Sequence, residues 1–442
     1  MNFDELNINN PLINALNDLD YLNPTPIQEQ AFPIIMSGAD VVGIAQTGTG
    51  KTFAYLLPML RQIKFSDQRD PRILIVVPTR ELVVQVVGEI EKLTKYMNVR
   101  FAGVYGGTNM NTQRQLVYNG LDILVATPGR LLDLKLSGVL RLKSIKKLVI
   151  DEVDEMLNLG FRHQLVSIIE NLPDKRQNLM FSATLTRDVE KLLNDFFYNP
   201  IKIEIAAHGT PIAKIEQIAY HVPNFFTKVN LLEHLLKTDD EIVKLLVFVA
   251  SKKLADRLFE KIANKFPDKI GVIHSNKSQN FRLRTLKNFD EEKLRVLIST
   301  DILARGLDIT DVSHVLNFDL PEFPVDYIHR IGRTGRKEKD GIAISFINER
   351  EQEYQIEIEE LMNKTLDLKD LPEEVEISQV YTDEERPILY DKTYHKSNNL
   401  KDSKGAFHEK KEKNKKVNLG GSYHRKLKEK YKKPKKRSGK SR

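Results

Sequence analysis

The chain has 442 residues, 41% of them apolar and none of them cysteine. The length exceeds one ordinary core and predicts two domains plus an extra segment. The absence of cysteine excludes disulfides and thiolate metal sites and favours an intracellular setting, read here as cytoplasmic. The net charge of +7 is uneven: residues 401–442 hold 18 Lys/Arg against 4 Asp/Glu, a tail of +14, which leaves −7 on the preceding 400 residues. Such a tail is either an arm for a polyanion, nucleic acid above all, or a solubilising end with no specific partner. Asp4 and Glu5 interrupt any signal-peptide progression, and apolar runs such as 73–77 and 245–250 fall far short of the ~20 residues of a membrane span.

Short β-branched runs alternate with longer amphipathic stretches, twice over, which predicts two α/β domains with parallel sheets and crossover helices. In the first cycle the predicted strands are 41–45, 73–77, 99–104, 123–126, 147–150 and 178–182. In the second they are 244–249, 270–274, 295–299, 314–318 and 341–346. Between the cycles, Ala206-Ala207-His208-Gly209-Thr210-Pro211 is the predicted hinge. The expected division is therefore a first domain at 1–206, a linker at 207–212 and a second domain at 213–365. An acidic connector at 366–400, with Pro372, Glu373 and Glu374, leads into the Lys-rich tail at 401–442. That tail is too poor in apolar residues to offset its own ordering entropy and is expected to be flexible.

In chain order, the first residues with chemical promise are Phe3 and Tyr21-Leu22-Asn23-Pro24-Thr25-Pro26-Ile27-Gln28. An aromatic ring can stack on adenine and a glutamine amide can hydrogen-bond its N6/N7 edge, although a Pro-rich turn capped by a polar residue would look the same. Next comes Ala45-Gln46-Thr47-Gly48-Thr49-Gly50-Lys51-Thr52, between a predicted strand and a predicted helix. It departs from the phosphate-loop pattern G-x-x-x-x-G-K-[ST] only at Ala45. Its glycines let backbone N–H groups approach phosphates, Lys51 supplies charge and Thr52 a hydroxyl for Mg2+. One hundred residues later the apolar run Leu148-Val149-Ile150 ends in Asp151-Glu152-Val153-Asp154. A strand-end Asp can help hold magnesium and the adjacent Glu can orient an attacking water, so the two segments together predict nucleotide hydrolysis.

Further blocks follow in order: Pro78-Thr79-Arg80-Glu81-Leu82, Gly106-Gly107, Thr127-Pro128-Gly129-Arg130, Ser182-Ala183-Thr184, Asp301 with Ala304-Arg305-Gly306-Leu307-Asp308, and His329 to Arg336. With the earlier motifs they resemble the DEAD-box family of ATP-dependent RNA helicases over roughly residues 1–365. The resemblance implies two tandem RecA-like domains closing on ATP, Mg2+ and RNA, with local unwinding of duplexes. It implies adenine recognition by Tyr21 and Gln28, phosphate binding by Ala45, Gln46, Thr47, Gly48, Thr49, Gly50 and Lys51, and metal binding by Thr52 and Asp151. Glu152 would act on the hydrolytic water, Asp308 on the ribose, and Arg333 and Arg336 on the γ-phosphate. For RNA it implies Arg80, Gly106, Gly107, Thr127 and Arg130 in the first domain, with Gln279, Arg282 and Thr300 in the second. These suit a sugar–phosphate backbone, not base reading. Asp154, Ser182 and Thr184 would couple the ATP site to the RNA-bound arrangement. The departures from the family pattern, Val153, Val83 and Ser251, keep volume or polarity nearly constant, though added methyl groups at Val153 could cost up to ~1–3 kcal/mol in a tight site. A reading from another class is an ATP-regulated RNA clamp or chaperone in which the tail does most of the binding. No membrane role is expected, and the oligomeric state is open.

Overall fold

Each half of the chain builds a seven-stranded sheet, one strand more than its sequence announced in the first half and two more in the second. The computed structural model describes residues 2–46, 48–205, 215–301, 309, 312–335 and 341–385. The predicted hinge at 207–212, the tail at 401–442, Thr47, Asp308 and Arg336 lie outside the described residues. In the first lobe the strands are β1 (Val41–Ile44), β2 (Ile73–Val76), β3 (Phe101–Val104), β4 (Ile123–Ala126), β5 (Lys147–Ile150), β6 (Gln177–Ser182) and β7 (Ile201–Glu204). In the second they are β8 (Ile215–His221), β9 (Leu245–Phe248), β10 (Ile270–Ile273), β11 (Val296–Ser299), β12 (His314–Asn317), β13 (Gly341–Ile347) and β14 (Asp367–Lys369).

The first sheet runs β3-β4-β2-β5-β6-β1-β7 and the second β10-β11-β9-β12-β13-β8-β14, all parallel. Numbered from the first strand of each lobe, the two orders are identical. The central strands are apolar on both faces because helices cover both sides, as a parallel sheet requires. On β2, Ile73 and Ile75 enter one core cluster while Leu74 and Val76 enter the other. On β9, Leu245 and Val247 face one cluster, Leu246 and Phe248 the next. Among the described residues no helix is long and apolar enough to cross a membrane.

The predicted strands match these within two residues, but three were absent from the sequence reading: β7, β8 and β14. The segment 366–385, expected as an acidic connector, belongs to the second lobe. β14 pairs with β8, and Val375 is buried in the core. The Asn224 Nδ2 donates to the Ser378 carbonyl (2.6 Å), and the Phe225 N–H donates to Glu385 Oε1 (2.5 Å) at the start of helix Phe225–Thr238. Glu384 pairs with Lys253 (2.6 Å) and Arg257 (3.1 Å). Acidic composition suggested solvated chain, yet these carboxylates serve as acceptors for a helix N-terminus and for basic side chains.

Candidate active site and nucleic-acid face

Ligands of open α/β sheets lie beyond the carboxyl ends of the strands, and nearly every motif residue is found there. After β1 the chain turns through Gly48 (φ +82°) and Gly50 (φ +89°) into helix Lys51–Gln62. Gly50 cannot be replaced without strain: besides its left-handed backbone, an added Cβ would come 2.4 Å from Gln28 Nε2. The Thr49 hydroxyl donates to the Gln46 carbonyl (2.7 Å), and the Ala45 N–H donates to the Ser182 carbonyl (3.0 Å), tying the loop to β6. Lys51 is only 7% exposed, and its ammonium has no hydrogen-bond partner. A buried, unmatched cation at the N-terminus of a helix is suited to a phosphate.

Gln28 closes the loop from the other side. Its Oε1 accepts from the Thr25 N–H (3.0 Å) and its Nε2 donates to the Gly50 carbonyl (3.1 Å). Each end of the amide retains one further position, a lone pair on oxygen and an N–H on nitrogen, for a base edge. Tyr21 is 48% exposed and meets Phe53 edge-on at 5.2 Å, so its ring can still accept a base. Phe3, expected beside it, cannot stack in this arrangement. It is 4% exposed and packed into the core, because the short turn Phe3–Leu6 folds down onto helix Pro26–Ser37.

The carboxylates stand at the end of β5. Asp151 is buried; its Oδ2 accepts from the Tyr55 hydroxyl (3.0 Å) and its Oδ1 from the Glu152 N–H (2.9 Å). Burial raises its pKa, and the Lys51 charge opposes that rise. Tyr55 stands one turn on from Thr52 in helix Lys51–Gln62, so the helix that carries Thr52, one of the two expected metal residues, is bonded to the other, Asp151. Glu152 sits in left-handed backbone (φ +52°), a conformation that costs a non-glycine residue about 1 kcal/mol or more and is characteristic of functional sites. Burial, then repulsion from Asp151, pushes its carboxyl up to about 7, while Lys51 and Arg333 pull it down. Arg333, from the second lobe, is therefore part of this electrostatic environment. A carboxyl poised near neutrality can exchange a proton with water at working pH.

Asp154 lies one turn further. Its Oδ2 accepts from the Thr184 hydroxyl (2.9 Å), the Thr184 N–H (3.0 Å) and the Ala183 N–H (3.2 Å), and the Ser182 hydroxyl donates to the Thr184 carbonyl (2.7 Å). The carboxylate block and the Ser-Ala-Thr block are thus one hydrogen-bonded unit, joined through Ala45 to the phosphate loop.

A second group of motif residues lines the ends of β2, β3 and β4. Arg80 lies against Gly106 and Gly107, where a Cβ at Gly107 (φ +82°) would come 2.1 Å from Arg80 Nη1. Thr127 precedes helix Pro128–Leu136 as its N-cap residue. Arg130 is turned inward: it donates to Gln113 Oε1 (2.7 Å) and to the Thr108 carbonyl (3.2 Å), shaping the glycine loop. These two bonds help to position that loop.

Gln279 and Arg282 also differ from expectation. Both are buried, and both engage Glu81 of the first lobe: Gln279 Nε2 donates to Glu81 Oε1 (2.9 Å), and Arg282 forms an ion pair with the same oxygen. In this arrangement they join the two lobes through Glu81. Thr300 is buried just past β11. Arg330 is pinned by Asp301 through two contacts of 2.6 Å and donates to Asn317 Oδ1 and the Asp319 carbonyl, a structural role within the second lobe. Reading the sequence by blocks missed Tyr55 and the role of Glu81. A tyrosine inside an apolar helix looks like core, and a glutamate in a helix's first turn looks like a solvated end.

Residues 25–192 match the DEAD/DEAH box helicase family, and residues 227–338 match the helicase conserved C-terminal domain. The ATP-dependent RNA helicase RhlB of Pseudomonas syringae is 39% identical over 380 residues, which span 84% of this chain and 95% of that protein. The ATP-dependent RNA helicase CshA of Limosilactobacillus reuteri is 38% identical over 364 residues, 82% of this chain and 72% of its relative. Among solved structures, S. cerevisiae Dbp5 bound to RNA and ADP BeF3 superposes with a TM-score of 0.76 at 29% identity, covering 84% of this chain and 95% of that one. Both lobes are matched, with more than four fifths of the chain aligned at close to 40% identity, and the chain belongs to the DEAD/DEAH box helicase family.

Proposed function

We propose that this chain is an ATP-dependent RNA helicase of the Asp-Glu-Val-Asp type, coupling RNA-stimulated ATP hydrolysis to local remodelling of RNA duplexes. The observation that carries the reading is the shared environment of Lys51, Asp151, Glu152 and Arg333, three groups from one lobe and an arginine from the other. The residues present fit a magnesium nucleotide: Lys51 is buried without a partner, and the glycine turn leaves no room for a Cβ at Gly50. Magnesium held by Thr52 and Asp151 would neutralise charge building on the phosphates.

Lys51 and the main chain of residues 48–50 hold the phosphates in line. Glu152 orients a water and takes its proton. Arg333 offsets negative charge in the transition state, which ties turnover to the approach of the two lobes. Asp154, Ser182 and Thr184 carry the coupling between nucleotide and RNA, since all three lie in the unit bonded to the phosphate loop. RNA is held through its sugar–phosphate backbone on the face formed by Arg80, Gly106, Gly107 and Thr127, with Thr300 contributing from the second lobe. Val153 is fully buried at the start of helix Val153–Asn158, and its side chain fills the core without touching this chemistry.

The test is steady-state ATP hydrolysis with and without single-stranded RNA, on the intact chain and on Glu152→Gln. The expected result is RNA-stimulated turnover that the substitution removes. Arg333→Ala should lower kcat by ~10³–10⁵ while leaving nucleotide binding to the first lobe in place. Hydrolysis unaffected by RNA in the intact chain would refute the coupling.

A further inference from the structure

Asp151 and Tyr55 are 96 residues apart in sequence, yet the phenol donates to the carboxylate at 3.0 Å. Tyr55 is fully buried, one turn into the helix that begins at Lys51, and its ring packs on Phe181 of β6 at 5.3 Å. The hydroxyl is thus held against Asp151 by a ring that cannot move without disturbing the core. A phenylalanine would fill the same space. The hydroxyl is there to serve a polar neighbour, because a buried phenol without a partner would lose free energy.

Building on the proposed ATPase reading, we infer that Tyr55 is a positioning residue for magnesium: its hydroxyl fixes the rotamer of Asp151 and ties that carboxylate to the helix that carries Thr52, the other metal residue. With Oδ2 engaged by Tyr55 and Oδ1 by the Glu152 N–H, the carboxylate cannot rotate. Its remaining lone pairs keep one direction. Partners of this kind, which touch a ligand and not the metal, typically change metal affinity 10- to 100-fold when removed.

Tyr55→Phe keeps the ring and deletes only the hydroxyl. Binding of a fluorescent ADP analogue to the full chain is measured in EDTA and in excess magnesium, and the ratio of the two affinities is compared between intact chain and variant. The expected result is unchanged affinity in EDTA and a magnesium enhancement reduced about 10-fold. A purely structural role would shift both affinities together, and because each protein is compared with itself, any loss of stability cancels. The thermal midpoint shift on adding ADP, again with EDTA or magnesium, gives a second reading of the same ratio. An intact chain whose binding depends on magnesium, beside a variant with the same ratio, overturns the role of Tyr55 alone. An intact chain with no magnesium-dependent nucleotide binding overturns the ATPase reading, and this assignment with it.

Discussion

Both lobes place a lysine in the helix that follows their first strand, and both bury it, but they treat the charge in opposite ways. In the first lobe Lys51 is left without a hydrogen-bond partner, and Asp151 stands at the end of the fifth strand, β5. In the second, Lys228 is 1% exposed and binds both Asp319 (3.1 Å), just past the fifth strand β12, and Glu351 (2.9 Å). Those carboxylates are themselves satisfied: Asp319 accepts from the Ala250 N–H, and Glu351 from the Leu320 and Asn348 N–H groups. One scaffold therefore holds an open charge pair for a ligand and a closed one for stability. Whether a buried cation is a binding group or a structural one is decided by whether the protein completes its coordination.

Substituting the two lysines separates these roles by the largest margin. Lys228→Met strands two buried carboxylates and should destabilise the second lobe by about 3–5 kcal/mol. Lys51→Met should leave the apoprotein almost as stable, since the Lys51 ammonium makes no hydrogen bond that the substitution would break, but should abolish ATP binding. Amide hydrogen exchange of helices Phe225–Thr238 and Lys51–Gln62 checks this. Faster exchange confined to the first helix in Lys228→Met, and to neither in Lys51→Met, is the expected pattern. Equal effects would mean that the two charges are not used differently.

The same contrast explains what could be read in advance. Central strands such as β4 and β5 were legible because runs like Ile123-Leu124-Val125-Ala126 are apolar on both faces and leave no other placement. β7 and β14 were not: Ile-Lys-Ile-Glu and Asp-Leu-Lys are short edge strands with charged residues facing water, which locally resemble loop. At the site, Lys51, Asp151 and Glu152 stood out because phosphate chemistry demands those types at those places. Tyr55, Glu81 and Lys228 act through partners 91 or more residues away, and nothing local marks them. Phe3 illustrates the converse: sequence supplied a plausible ligand, while packing had already engaged the ring.

The seventh strands offer a smaller contrast. β7 lies well inside the first half, but β14 falls in the segment that composition marked as connector, so a chain cut at 365 lacks it while one cut at 385 retains it. Loss of the nearly buried Leu366 and Val375, with the Glu385 acceptor for the Phe225 N–H, should destabilise the second lobe by about 2–4 kcal/mol. It would also expose the edge of β8 to association. Truncation at 385 should preserve the melting midpoint and RNA-stimulated hydrolysis. Equivalent behaviour of the two truncations in melting and light scattering would show that β14 is dispensable, and that the second sheet, unlike the first, needs only six strands.

The smallest expected difference is at the other end of the fifth strands, where Lys147 opens β5 and His314 opens β12. Burial lowers the pKa of both, Lys147 from 10.5 to about 8 and His314 below 6.5. At pH 7 His314 is therefore mostly neutral even in the unfolded chain, and more so when folded, whereas Lys147 is charged in both and penalised only when folded. Between pH 8 and 10.5 the unfolded chain holds more of the Lys147 proton, so this penalty shrinks as pH rises and vanishes once lysine is neutral in both states. Lys147→Met should accordingly stabilise the first lobe by about 1–2 kcal/mol at pH 7, the full shift being discounted for partial exposure and for the lost hydrogen bond to Gln177. That gain should fade toward pH 10.5, and His314→Met should show no comparable gain at pH 7. Urea unfolding at pH 7, 9 and 10.5 measures both. A gain for Lys147→Met that persists at pH 10.5 would assign it to packing and remove the electrostatic distinction between the two strands.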